Sequence, residues 1–325
     1  MDNNSLALKA AKRARVVKKS SRIVFSVFRF FFLVCIAYIV VYPLLYMIIS
    51  SVSTKEAFLN SRRTWIPTSI TFEHFSMVAE FMEYGKSIAS TLLYQVVGAL
   101  IEVCSCAVVA YGFSRFEFRF KKVFTAILFL TILVPSAMII IPLTVNYSHL
   151  DVLGILGLVY KITGIDLRIN ILNSPLSFWL PSLFAAGLRS GIMIFIYMQF
   201  FKNLPKEFEE AAWVDGATPI RTFLQIIIPS SSVVILTVTV FSVIWHWNDY
   251  QLAVMFMNKN FPLSVSLSNL EDLLTTKGYW TTGGDPTAIA LMMAACLLFI
   301  LPPLVMYIIV QHWFIESVDR VGITG

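Results

Sequence analysis

Residues 209 to 229 read EEAAWVDGATPIRTFLQIIIP, a carboxylate-led, glycine-hinged segment in a chain that is 58% hydrophobic. Adjacent acids beside small alanines, with no nucleophile or histidine nearby, suit charged anchoring better than general acid and base work. Two further ionisable residues, Glu102 and Arg189, fall inside apolar runs, where a charge is costly and calls for a partner or a polar path. They are expected either to pair, with each other or across subunits, or to line a solute pathway. His246, Asn248, Asp249 and Gln251 alternate with Trp245, Trp247 and Tyr250 in the run WHWNDYQ. Planar hydrogen-bonding groups among aromatic faces suit a sugar, and an aromatic belt at a membrane boundary uses the same tryptophans. Candidate pathway residues are therefore Arg189, Trp245, Trp247, Asn248 and Asp249.

Other chemistry is not supported. His74, His149, His246 and His312 are scattered among separate loops and apolar runs, which argues against a metal cluster or a catalytic triad. Cys35, Cys104, Cys106 and Cys296 all fall in apolar runs and are expected to be buried packing residues. Tyr84-Gly85-Lys86-Ser87 ends like a phosphate-binding loop, but the required first glycine is replaced by Glu80. No enzymatic activity and no cofactor is expected for this chain, and any ATP must be bound by another subunit.

The elements that position these residues follow from composition. With 325 residues, a mean hydropathy of +0.77 and 14% charged residues, the chain cannot hide its apolar side chains in one water-soluble core. Runs long enough to cross about 30 Å of hydrocarbon, about 20 residues each, recur near 24 to 50, 88 to 112, 123 to 145, 179 to 200, 231 to 256 and 287 to 311. They are continuously apolar rather than alternating, which favours helices over barrel strands. The expected fold is an all-α integral membrane protein with six transmembrane helices. Lysine and arginine concentrate at 9 to 22, 115 to 122 and 202 to 221, which places both termini in the cytoplasm. The formal charge of +6 is an orientation signal; no basic water-facing domain suggests nucleic acid. A cleaved leader is disfavoured because the first apolar run is about twice the length of a signal core. The expected organisation is a basic tail over 1–23, one transmembrane domain over 24–311, and a second tail over 312–325.

The opening segment, between the fourth and fifth spans, reads as a helix, a turn and a helix. Pro205 suits a first helical turn, and Lys206 to Val214 can follow as one short helix. Phe208, Ala211 and Ala212 would share an apolar face. Gly216 accepts the left-handed conformation that ends a helix, and Thr218 with Pro219 forms an N-cap and first-turn pair for the next helix. Phe223, Ile226 and Ile227 can seat against the bundle. The result is either an interfacial hairpin or a docking knob on the cytoplasmic surface.

Glu210-Ala211-Ala212, three residues, Gly216, nine residues, Ile226, one residue, then Ile228-Pro229 resembles the EAA motif of ABC-importer permeases, with Ile228 where that family most often has leucine. FFKNLPKEFEEAAWVDGAT, WHWNDYQ, FPLSVSL and the tail ending at Gly325 are similar in order to the carbohydrate-uptake, maltose-type branch. The resemblance implies a coupling helix that sits in a cleft of a cytoplasmic ATPase subunit, with Glu210, Ala211, Ala212, Asp215 and Gly216 as its ATPase-coupling residues. It implies a heterodimer with a homologous second permease, two ATPase subunits holding ATP and magnesium, an external solute-binding protein, and a sugar as cargo through a bacterial plasma membrane. The outer segment at 146–178, which contains GIDLRINILNSP, is longer than usual for that group. The rival reading is an ion-coupled secondary transporter, although no inverted repeat is evident.

Overall fold

The run from Ile23 to Ser50 contains no glycine, and it folds inside one long helix, α1, Asn3–Val52. The computed structural model describes residues 3–59, 69–151, 154–279 and 285–322, with side chains described over 22–57, 69–151, 154–279 and 285–313. The side chains of both expected tails therefore lie almost wholly outside the described residues. So do those of the basic cluster at 9 to 19 and of Arg320. Among the described residues the fold is all-helical, apart from two isolated bridges, Ser53 with Ile70 and Leu150 with Ile169.

Among the described residues, three helices are long and apolar enough to cross a membrane: Arg22–Val52, Tyr84–Arg115 and Pro286–Trp313. The middle one contains a π-helical stretch, Thr91–Val96, followed by α2, Val97–Arg115. The other three expected spans are interrupted. In place of a straight helix over 123–145, α3, Lys121–Leu133, and α4, Ser136–Ser148, meet at a bend of 102°. Pro135 explains it, because its ring pushes Val134 into an extended conformation and it has no N–H to continue the ladder. The run at 179–200 divides into α5, Leu176–Leu183, and α6, Ser190–Asn203. Between them Ala185 has φ +51°, outside the helical range.

The elbow segment forms α7, Glu207–Val214, and α8, Pro219–Thr222, and the latter continues through a π-helical stretch, Phe223–Ile227, to Ser230. At Ser231 the chain turns by 82° into α9, Ser232–Trp247. The run expected at 231–256 is broken after Trp247 and resumes as α10, Gln251–Phe256. The last described helix is α11, Pro286–Gly322, which packs along α1. Counting each bent pair as one crossing, up to five helical units meet the length and apolarity of a span.

The main core joins α2, α6 and α9 with the seat of the elbow. Its fully buried members include Cys106, Met193, Tyr197, Phe201, Ile227 and Val238. By contrast, α1 shows Ile23, Phe25, Phe28, Phe31 and Ile39 on its surface, an apolar exterior suited to lipid. Cys35 on α1 and Cys104 on α2 are also exposed, so the expected burial of all four cysteines holds fully only for Cys106.

Candidate functional site

The elbow is built from local signals. Helix α7 ends where Gly216 takes φ +78°. There the Gly216 N–H donates to the Trp213 carbonyl at 3.0 Å and the Ala217 N–H to the Ala212 carbonyl at 2.9 Å, the paired bonds of a left-handed helix stop. The Thr218 side chain accepts the Arg221 N–H at 3.3 Å, and Pro219 follows in the first turn. Glu210, Ala211, Asp215 and Gly216 all face outward, beside the exposed apolar side chains of Phe208, Trp213, Val214 and Ile220.

The inner face of α7 differs from expectation. Of Phe208, Ala211 and Ala212, only Ala212 is buried. The other buried position is Glu209, three residues earlier, whose Oε2 lies 3.1 Å from Arg115 Nε at the end of α2. Arg115 Nη2 also donates to the Leu204 carbonyl at 2.8 Å. Sequence reading passed over Glu209 because two adjacent acids look alike in sequence. Its i, i+3 relation to Ala212 was the available signal.

The second cluster surrounds a cavity at the breaks between helices, lined by Glu102, Phe178, Arg189, Trp245, His246, Asp249 and Gln251 among others. Glu102 is 1% exposed. One of its oxygens accepts the Ser190 hydroxyl and the other lies 3.4 Å from His246 Nε2. His246 Nδ1 is 2.9 Å from the Ser242 carbonyl; that oxygen can only accept, so Nδ1 carries the hydrogen. The expected pairing of Glu102 with Arg189 is therefore not made. Arg189 instead stacks over the Trp245 ring, 5.3 Å from its centroid. The two side chains also line an adjoining pocket with Thr131 and Gly191, so the stacked pair borders both.

Asp249 caps α10 by accepting the Leu252 N–H at 3.1 Å, and its main-chain carbonyl receives Gln95 Nε2 at 2.8 Å and Ser264 Oγ at 3.0 Å. Of the five candidate pathway residues, Arg189, Trp245 and Asp249 line the cavity. Trp247 and Asn248 do not. Trp247 is 2% exposed and donates its indole N–H to the Phe299 carbonyl at 3.1 Å, while Asn248 turns back to the Ile244 carbonyl at 2.8 Å. The helical repeat separates Trp245 from Trp247 by about 200° on α9, so the two could not share a face.

The segment at 146–178 holds a helix, Ile155–Thr163, capped by Asp151, whose carboxylate accepts the Leu156 and Gly157 N–H groups at 2.8 Å. Ile171 is 3% exposed and packs with Tyr147, Phe178 and Phe256. Arg168 lies over Tyr160 and binds Asp166 through two nitrogens, at 2.8 and 2.7 Å.

The chain matches the binding-protein-dependent transport system inner membrane component family over residues 105–320. It belongs to that family. Its members are inner membrane components of binding-protein-dependent transport systems, a class distinct from the ion-coupled alternative. The chain is similar to the polygalacturonan/rhamnogalacturonan transport system permease protein YtcP of Bacillus subtilis (strain 168), with 23% identity over 88% of this chain and 93% of the relative. Its fold is also that of a bacterial ABC transporter involved in import of the acidic polysaccharide alginate, with TM-score 0.69, 22% identity and coverage of 90% and 98% of the two chains. A second structure, of a bacterial alginate ABC transporter in complex with an alginate pentasaccharide-bound periplasmic protein, gives TM-score 0.62 at 17% identity, covering 89% and 93%.

Proposed function

We propose that this permease-family chain forms one half of a carbohydrate importer, paired with a homologous second permease and driven by two ATPase subunits docked on its elbows. The observation that carries the reading is the elbow itself: a capped helix whose Glu210, Ala211, Asp215 and Gly216 are uncovered, ringed by exposed Phe208, Trp213, Val214 and Ile220. An exposed apolar ring around a charged anchor is the composition of a docking site. Ala212 supports that face from beneath rather than touching a partner directly.

On this reading six membrane crossings are completed by counting α5 with α6 as a broken span, both termini lie in the cytoplasm, and the membrane is the plasma membrane of a bacterium. The 24–311 region is one transmembrane domain between two short tails. An external binding protein delivers an oligosaccharide or a related glycoside or polyol to the outer loops. The sugar then passes the cavity where Arg189, Trp245, His246, Asp249 and Gln251 supply hydrogen-bonding groups and an aromatic face. ATP with magnesium binds in the ATPase subunits, whose closure moves the elbows and biases the bundle between two openings.

Affinity purification from native membranes tests the assignment. Recovery of an ATPase, a second permease and a binding protein supports it; recovery of the chain alone, still active in uptake, refutes it.

A further inference from the structure

Glu209 is a charged side chain that the docking face does not use. It points away from that face, and its side chain is 4% exposed against Arg115 at 5%. Two facing ions withdrawn from water are costly unless their geometry is fixed. Here one guanidinium holds three elements: it belongs to α2, faces Glu209 in the first turn of α7, and donates to the carbonyl of Leu204, the residue that caps α6. At the other end of the same two helices, Ser190 opens α6 and donates to Glu102 of α2. Glu102 and Arg115 are 13 residues apart on α2, about 20 Å along a helix. So α2 and α6 are tied at both ends, by the elbow ion pair at one and beside the cavity at the other.

We propose that Glu209 and Arg115 form the joint that carries motion of the elbow into the cavity, with α2 and α6 moving as one rigid frame. The proposal rests on the elbow being the ATPase contact. An eight-residue helix holds its own shape weakly. With only Glu209 and Ala212 buried, a push on α7 would displace it over the bundle unless the attraction of the buried charge pair, 3.1 Å between Glu209 Oε2 and Arg115 Nε, held it there. Glu209 and Arg115 are thus positioning residues: they touch neither ATPase nor solute. The two adjacent acids divide the work, Glu210 facing the partner and Glu209 facing the frame.

The test uses the assembled importer in lipid nanodiscs, with a cysteine introduced at Ala186 on the cavity wall. Its reaction rate with a maleimide is compared before and after ATP and vanadate trap the ATPases closed, per mole of ADP trapped and relative to the importer without that cysteine. In the otherwise native chain the rate should change by at least about fivefold, the scale of a modest coupling energy. Glu209→Gln and Arg115→Gln should each reduce the change to below about twofold at equal trapping, and the double variant should be no worse than Arg115→Gln alone, which already removes the ion pair together with the bond to the Leu204 carbonyl. A native-sized change in either single variant, or additive losses in the double, would overturn the joint. Should the glutamine variants fail to assemble, Glu209→Asp decides. It keeps the charge but withdraws it by one methylene, so a diminished change supports the joint, and a native-sized change reduces the pair to a fold contact. If the native importer traps ADP without any change at the cavity, the elbow is not the coupling element, and the functional reading falls before the joint does.

Discussion

Single residues set the two sites through backbone conformation and steric room. Gly216 sits at φ +78° with nothing within 4 Å of where a Cβ would be, so a side chain there is opposed by conformation and not by crowding. Gly216→Val should destabilise the elbow by about 1–2 kcal/mol and abolish uptake while the protein still reaches the membrane, as uptake assays with membrane immunoblots would show. Glu210→Ala should also abolish uptake, since it removes the charged anchor of the proposed docking face. Gly187 is the opposite case, because a Cβ there runs into the Glu102 carboxylate and comes within 3.1 Å of the Ser190 hydroxyl. Gly187→Ala should displace Glu102 from Ser190 and lower thermal stability, by about 1–3 kcal/mol for overpacking a closed site, in a detergent melting assay. In the segment at 146–178, the bidentate Arg168 guanidinium holds the Asp166 carboxyl well below its usual range. A depressed pKa gives a stabilising contribution that is complete above the ordinary value of about 4 and lost as pH falls through the folded value. Limited proteolysis of this segment should therefore be flat between about pH 5 and 8 and accelerate only in stronger acid, and Arg168→Gln should remove the protection at neutral pH.

At the scale of elements, the informative feature is where helices fail to continue. The breaks at Val134 to Pro135, Phe184 to Arg189 and Asn248 to Tyr250 turn three apolar runs into pairs of shorter helices. The last two breaks supply Arg189 and Asp249 to the cavity, while Glu102 of α2 and His246 of α9 supply its other ionisable side chains. Broken backbone at membrane depth is tolerated where it is buried in protein or lines a cavity, and Arg189 and Asp249 lie in such breaks. The Arg115 and Glu209 pair works at this scale too. Truncating Arg115 to Ala leaves a buried carboxylate and an unpaired Leu204 carbonyl, and should cost about 3–5 kcal/mol, read as a lower melting temperature of the purified permease. The expected inner face of Phe208, Ala211 and Ala212 kept only Ala212; the helical repeat offered Glu209 as its neighbour but could not identify the partner, 94 positions earlier in the chain at Arg115.

For the whole molecule, class and family were written in the sequence, because hydropathy over about 20 residues and a strictly spaced motif are local properties. A chain whose α1 is bare over the described residues 22 to 46 is built to meet lipid or a second subunit, and the family match gives that exterior its setting. The helix stop at Gly216 and the cap at Thr218 were equally local and equally readable. What periodicity could not supply was the interruption of spans inside continuously apolar runs, since a run that is apolar on all sides has no pattern to mark where it bends. Nor could it choose partners for ions. Glu102 meets Ser190 and His246 instead of Arg189, and Trp247 turns into the core instead of the cavity, because those contacts depend on how α2, α6 and α9 rotate against one another. The sequence by itself determined a helical membrane transport subunit and its elbow. Only the tertiary structure decided which charges neutralise one another, because the charges that meet lie on helices far apart in the chain, and burial forces each to take the partner that packing brings within reach.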